Sequence, residues 1–196
     1  MIRTAVFAYG SLVSPASAEL TLGRPVAISS PLRLPGWRRR WGAARDNTAV
    51  EKTFARADDG AVPPFLLGLT LGPAPGDAGP NGALLETTEE ELERLDLREL
   101  RYDRVDVTAA LRGAGEAAEA YDRLYTYVAK AEHRIDSPPP GAAIVAGYAR
   151  AVETAFEELG PGQLDLFRET TGPPPVELIE AELVRDEIPP GNPREW

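Results

Sequence analysis

Ala5-Val6-Phe7-Ala8-Tyr9-Gly10-Ser11-Leu12 runs from an apolar stretch straight into a glycine turn. Its first four residues, short and unpunctuated, predict a buried strand. Gly10 admits a backbone conformation closed to a residue carrying a Cβ. Ser14-Pro15 then predicts a helix start, with Ser14 as N-cap and Pro15 at the first helical position. A strand, a tight turn and a helix start leave several backbone N–H groups without partners, and such a turn can hold an anion, in particular a carboxylate. The same junction is also a common plain connection, so its meaning depends on the rest of the chain.

Length and composition narrow that meaning. The 196 residues are read as one domain spanning 1–196, large enough to bury a core. No apolar run is long enough to cross a bilayer, and the start lacks the basic and long apolar segments of a signal peptide. With no cysteine, disulfides, cysteine nucleophiles and thiolate metal sites are excluded. A cytoplasmic location is expected. The net charge of −10 argues against nucleic acid or an anionic membrane as partner. A single histidine makes a His-rich metal site a poor expectation. No feature of the sequence specifies an oligomeric state.

The first half reads mostly as strand. After a helix at 15–22 closed by Gly23, strands are predicted at 26–34, 36–44, 49–57 and 65–71. Turn signals at Pro35-Gly36, Asp46-Asn47, Asp58-Asp59-Gly60 and Pro63-Pro64 separate them. A Gly/Pro-rich loop, 72–80, leads through Asn81-Gly82 into a strand at 83–86. Thr88 and Glu91 then stand at the spacing of a capping box and open a short acidic helix, with Leu92 and Leu95 on its inner face. Strands follow at 102–108 and 123–128, with a loop at 112–120 between them. Beyond Ser137-Pro138-Pro139-Pro140-Gly141, apolar spacing predicts the longest helix over 142–159 and a shorter one over 163–170. An extended, Pro-rich tail covers 172–196. Strands segregated from helices predict an α+β fold with a mainly antiparallel sheet or barrel.

A second stretch, Leu95-Asp96-Leu97-Arg98-Glu99 followed by Tyr102, closes the acidic helix just before a strand. A carboxylate flanked by leucines at such a junction can be held partly out of water, which raises its pKa toward the range useful for proton transfer. Arg98 and Arg101 act in the opposite sense. Trp37-Arg38-Arg39-Arg40-Trp41 places both tryptophans and Arg39 on one strand face, with Arg38 and Arg40 on the other. A packed aromatic face is the simplest reading, though an arginine there can also neutralise a substrate carboxylate.

Taken in order, Tyr9-Gly10-Ser11-Leu12, Asn81-Gly82-Ala83, Leu92-x-x-Leu95-Asp96-x-Arg98-Glu99-x-x-Tyr102 and the Tyr127-Val128 strand resemble the γ-glutamylcyclotransferase superfamily. The resemblance covers roughly residues 6–128. It implies a compact, mainly antiparallel β-barrel with flanking helices, no metal or organic cofactor, and a small-molecule γ-glutamyl substrate. Members release 5-oxoproline when the substrate's α-amine attacks its own γ-carbonyl. By the same resemblance Glu99 is the general base and acid, the backbone around Gly10, Ser11 and Leu12 holds the γ-glutamyl group, and Tyr9, Tyr102 and Tyr127 line the pocket. Two departures stand out. Leu12 occupies a place where many relatives carry Asn, and Gly141-Ala142-Ala143 supplies none of the further pocket tyrosine that some relatives place after the Pro-rich break. The leaving amine therefore stays open. A non-catalytic γ-glutamyl or carboxylate binder, and a biosynthetic enzyme removing a γ-glutamyl protecting group, are the alternatives.

Overall fold

The computed structural model describes residues 2–49 and 51–193. Strand β1 (Thr4–Ala8) is buried along its whole length, because it is the middle of a five-stranded sheet and has no solvent face. A 3₁₀ turn at Ser11–Val13 and helix α1 (Pro15–Leu22) follow. Ser14 caps α1 by accepting the Ser17 N–H, and Gly23 ends it at φ 71°. Strands β2 (Leu32–Arg33), β3 (Trp37–Asp46), β4 (Lys52–Arg56), β5 (Phe65–Pro73) and β6 (Asn81–Thr87) complete the first half. Of the expected strand at 26–34 only β2 and an isolated bridge at Ile28 form; Pro25 and Pro31, which lack N–H donors, flank that bridge.

Helix α2 (Glu89–Arg98) opens with the complete Thr88–Glu91 capping box and leads into β7 (Tyr102–Asp106). Two single-turn helices follow: α3 (Thr108–Leu111), which takes the last residue of the expected strand, and α4 (Glu116–Glu119), which lies within the region read as loop; β8 (Arg123–Ala129) comes next. The long helix expected from residue 142 starts later. Ala142–Val145 form β9, and α5 covers Ala146–Glu158. Ala142, Ala143 and Ile144 are buried, and β9 runs parallel to β5 through Phe65↔Ala142 and Leu66↔Ala143, so an apolar run that suits a helix face is claimed by a sheet. Helix α6 (Gln163–Thr171) precedes a tail that is more regular than expected. It pairs as β10 (Leu178–Ile179) with β9 and as β11 (Ala181–Asp186) with β4. Val50 and the last three residues of the expected tail lie outside the described residues.

The sheets order as β2-β6-β1-β8-β7, β10-β9-β5-β3 and β11-β4. Among the described residues five ladders are antiparallel and three are parallel, so the α+β class holds while the sheet is mixed. The expected closed barrel is not found among the described residues. Between the two larger sheets, side chains stand where ladder bonds would close the seam. Tyr102 Oη donates to the Leu69 carbonyl at 2.9 Å, the Ala129 N–H donates to Thr70 Oγ1 at 2.9 Å, and Arg39 of β3 bonds to Asn81 of β6. Gly82 explains why Asn81-Gly82 opens β6: a Cβ there would lie 2.2 Å from the Ala8 carbonyl oxygen and 2.7 Å from the Phe7 ring. No helix among the described residues is long and apolar enough to cross a membrane.

Candidate active site

The turn that ends β1 lies against the C-terminus of α2. Between them is a cavity of about 50 Å³, lined by Tyr9, Gly10, Ser11, Leu12, Leu69, Glu99, Tyr102, Tyr127 and Tyr148 together with the end of β1. That volume is room for a few water molecules. All seven residues singled out in the sequence meet here: Tyr9, Gly10, Ser11, Leu12, Glu99, Tyr102 and Tyr127.

Glu99 caps the end of α2, its N–H bonded to the Leu95 carbonyl, and its own carbonyl accepts the Tyr102 N–H at 2.7 Å. One tight turn thus carries the carboxyl group and the first pocket tyrosine of β7. Burial raises the Glu99 pKa, and the Arg98 guanidinium, 3.2 Å away, pulls it down. The desolvation has a different source from the one expected. Leu97 and Leu100, the flanking leucines, are 55% and 45% exposed, whereas the Glu99 side chain, 19% exposed, sits among the tyrosines. Arg98 is itself held by α1, donating to the Ser17 carbonyl at 2.7 Å, Ser17 Oγ at 2.8 Å and Thr21 Oγ1 at 2.5 Å, with a long 3.4 Å contact to Ser11 Oγ.

Three of the four tyrosine hydroxyls have hydrogen-bond acceptors. Tyr9 donates to the Tyr127 carbonyl at 2.7 Å, Tyr102 to the Leu69 carbonyl at 2.9 Å, and Tyr127 to Asp96 Oδ1 at 2.8 Å. Burial drives the Tyr9, Tyr102 and Tyr127 pKa values above the ordinary phenol value, and lifts Tyr148 to about 12. All four are neutral near pH 7. Among the side chains lining the cavity, only Glu99 is a carboxylate able to take a proton there.

Gly10 has φ −138°, outside the left-handed region, and a Cβ on it would meet only the Leu69 side chain and the Tyr148 hydroxyl, both at 3.8 Å. Having no side chain, Gly10 also leaves the cavity open. Val13 N–H bonds back to the Gly10 carbonyl, and among the described residues the N–H groups of Ser11 and Leu12 take no partner. They are free to serve an anion.

Tyr148 is the lining tyrosine that the sequence did not reveal. The Gly141-Ala142-Ala143 segment indeed offers no aromatic, but α5 supplies one seven residues after Gly141, packed edge-on against Trp41 with ring centroids 6.1 Å apart. In the sequence Tyr148 counts as one more member of the apolar stripe of α5. Arg39, by contrast, does not enter the cavity. It is fully buried behind it and holds the Tyr9 carbonyl at 3.1 Å.

Three solved structures share this architecture. A gamma-glutamyl cyclotransferase superposes with a TM-score of 0.56 at 17% identity over 88% of this chain and 89% of that one. An uncharacterized protein from Homo sapiens gives 0.57 at 16% identity, over 89% and 90%. YkqA from Bacillus subtilis gives 0.53 at 18% identity, and the match spans 89% of this chain and 56% of that one. No family model matches the chain, and no curated protein matches it by sequence. The chain has the γ-glutamylcyclotransferase-like fold.

Proposed function

We propose that the chain is a cofactor-independent γ-glutamylcyclotransferase, releasing 5-oxoproline from a γ-glutamyl amino acid, peptide or amine. The observation that carries this reading is the meeting of one largely buried carboxyl group, Glu99, with the backbone N–H groups of Ser11 and Leu12, which take no partner among the described residues, in one tyrosine-walled cavity. Each part has its role in the cyclisation. The substrate's α-carboxylate sits on the free N–H groups of the turn. The α-ammonium faces Glu99, which takes one of its protons and frees the lone pair. The amine nitrogen then bonds to the γ-carbonyl carbon, and the C–N bond to the leaving amine breaks. The protonated Glu99 gives its proton to the departing nitrogen, and the carboxylate so regenerated takes the second proton from the new ring nitrogen, a proton the released amine carries away as an ammonium. Nucleophile and electrophile belong to one molecule, so holding that molecule folded supplies the proximity.

The tyrosines exclude water and stay protonated, which leaves proton transfer to Glu99. The raised pKa suits both proton transfers, since a carboxyl group closer to neutrality gives its proton back to the leaving nitrogen more readily. The test is 5-oxoproline release from a panel of γ-glutamyl amino acids, γ-glutamylamines and glutathione. Glu99→Gln is expected to lower turnover by about 10²- to 10⁴-fold, the usual weight of a general acid–base group. Unchanged turnover in that variant would remove Glu99 from the mechanism, and inactivity of the wild type across the panel would remove the enzyme reading.

A further inference from the structure

Arg39 is fully buried, yet every partner it has is neutral. Its Nε donates to Thr171 Oγ1 at 2.7 Å, and Nη1 to the carbonyls of Asn81 at 2.8 Å and Tyr9 at 3.1 Å. Nη2 donates to Asn81 Oδ1 at 2.9 Å, Thr170 Oγ1 at 3.1 Å and the Phe167 carbonyl at 3.3 Å. The rings of Phe167 and Phe156 lie against it at 4.2 and 4.8 Å. Its hydrogen bonds are complete, but no carboxylate among the described residues pairs with its charge.

That arrangement is costly if packing is its whole purpose. Buried charges are ordinarily paired, and an apolar side chain of similar size fills such a space at least as well. Burial pulls the Arg39 pKa down to about 9, which still leaves it protonated at neutral pH. The charge lies one peptide behind the Gly10 turn, touching the carbonyl of Tyr9, whose side chain lines the cavity. Inside a protein such a charge acts at a distance with little screening.

We infer that Arg39 is a positioning residue that makes the cavity selective for an anionic ligand, its uncompensated charge favouring a carboxylate on the free N–H groups of the turn. The inference rests on the cyclotransferase reading and adds the reason a γ-glutamyl group with a free α-carboxylate is preferred over the same group with that carboxylate amidated. No contact between Arg39 and the ligand is needed.

Asn81→Asp is the informative variant, because it places a carboxylate on Arg39 Nη2 with almost no change in side-chain shape. It gives up the two hydrogen bonds that Asn81 Nδ2 donates to Gln163, so its fold is checked by thermal unfolding. The probes are 5-oxoproline and its uncharged carboxamide, with binding measured by calorimetry. The wild type is expected to bind the acid more tightly by on the order of tenfold or more, the scale of a partly screened charge interaction inside protein. Folded Asn81→Asp is expected to bring the two affinities close to parity. Arg39→Lys, which keeps the charge but loses the planar fork, is expected to keep the preference, and Arg39→Gln to lose it.

Equal affinity of the wild type for acid and amide overturns the inference, as does an unaltered preference in folded Asn81→Asp. Should Asn81→Asp fail to fold, the Lys and Gln variants make the same decision. If the wild type turns over γ-glutamyl substrates but does not discriminate acid from amide, only the role of Arg39 falls. If it binds neither and releases no 5-oxoproline, the cyclotransferase reading falls with it.

Discussion

At the scale of single residues, the proposed mechanism has Glu99 and Arg98 set the pH behaviour between them. Arg98 lowers the Glu99 pKa against the larger effect of burial, so removing it is expected to raise that pKa further. In Arg98→Met the acidic limb of the kcat/KM profile is therefore expected at higher pH than in the wild type; an unmoved or lowered limb would contradict the pairing. The variant also leaves the Ser17 and Thr21 acceptors unfilled, a stability cost of about 1–3 kcal/mol. Gly10→Ala makes the opposite kind of test. Its methyl group meets nothing closer than 3.8 Å, so the thermal midpoint is expected to fall by less than in Gly82→Ala, whose methyl group would meet backbone. KM is expected to rise, because that methyl group stands in the cavity beside the Tyr148 hydroxyl. Activity and stability measured together distinguish a glycine kept for space in the site from one kept for its backbone. Most of the site is legible in the sequence: Glu99, the tyrosines and the turn stand out by their order along the chain. Why Glu99 is desolvated is not, because the exposure of Leu97 and Leu100 depends on what α2 packs against.

At the scale of elements, the site exists because β1 and α2 deliver their ends to one place. Strand β1 is clamped between β6 and β8, and Gly82 lets β6 approach it at the Ala8–Ala83 pair. Gly82→Ala forces a methyl group to within 2.2 Å of a backbone oxygen that cannot swing aside. A loss of about 1–3 kcal/mol is expected, or more if the strand cannot shift. Urea unfolding measures it, and turnover should fall too as the turn moves. Wild-type stability in Gly82→Ala would mean that the strands accommodate the methyl group. The capping box of α2 and the cap of α1 are legible because such signals are local. The start of α5 is not, because Ala142–Val145 are apolar in any arrangement, and only the edge of β5 decides that they pair as a strand.

Over the whole molecule, several carboxylates share one trend with pH. Asp46 is held below its usual pKa by the Thr48 N–H and hydroxyl, Asp77 by the Gly79 N–H and then Arg38, Glu91 by Arg24, and Glu180 by Arg150. A depressed folded-state value means that the unfolded chain binds the proton more tightly. The stability these groups add is therefore present above the ordinary carboxylate range and is lost as pH falls through it, from about pH 4 downward. Glu99 has the opposite sign: its raised value favours the folded state at low pH and costs stability as pH rises past 4.5. Above about pH 4.5 only the raised group changes, so urea midpoints are expected to hold or rise slightly from pH 7 to 5, and to fall below about pH 4, where the four depressed groups take up protons in the unfolded chain first. A midpoint that keeps climbing on acidification below about pH 4 would reverse the balance.

The sequence alone determined the α+β class, the glycine turn after β1, the capped acidic helix and the identity of the carboxyl group at its end. These depend on local chemistry: caps, turn residues and the alternation of apolar side chains act within a few residues. The closure of the sheets, the strands of the tail, the place of Tyr148 and the unpaired charge of Arg39 were decided only in the tertiary structure. Each depends on which distant backbone offers a hydrogen bond or leaves a gap, and that is a property of the packed molecule rather than of neighbouring residues.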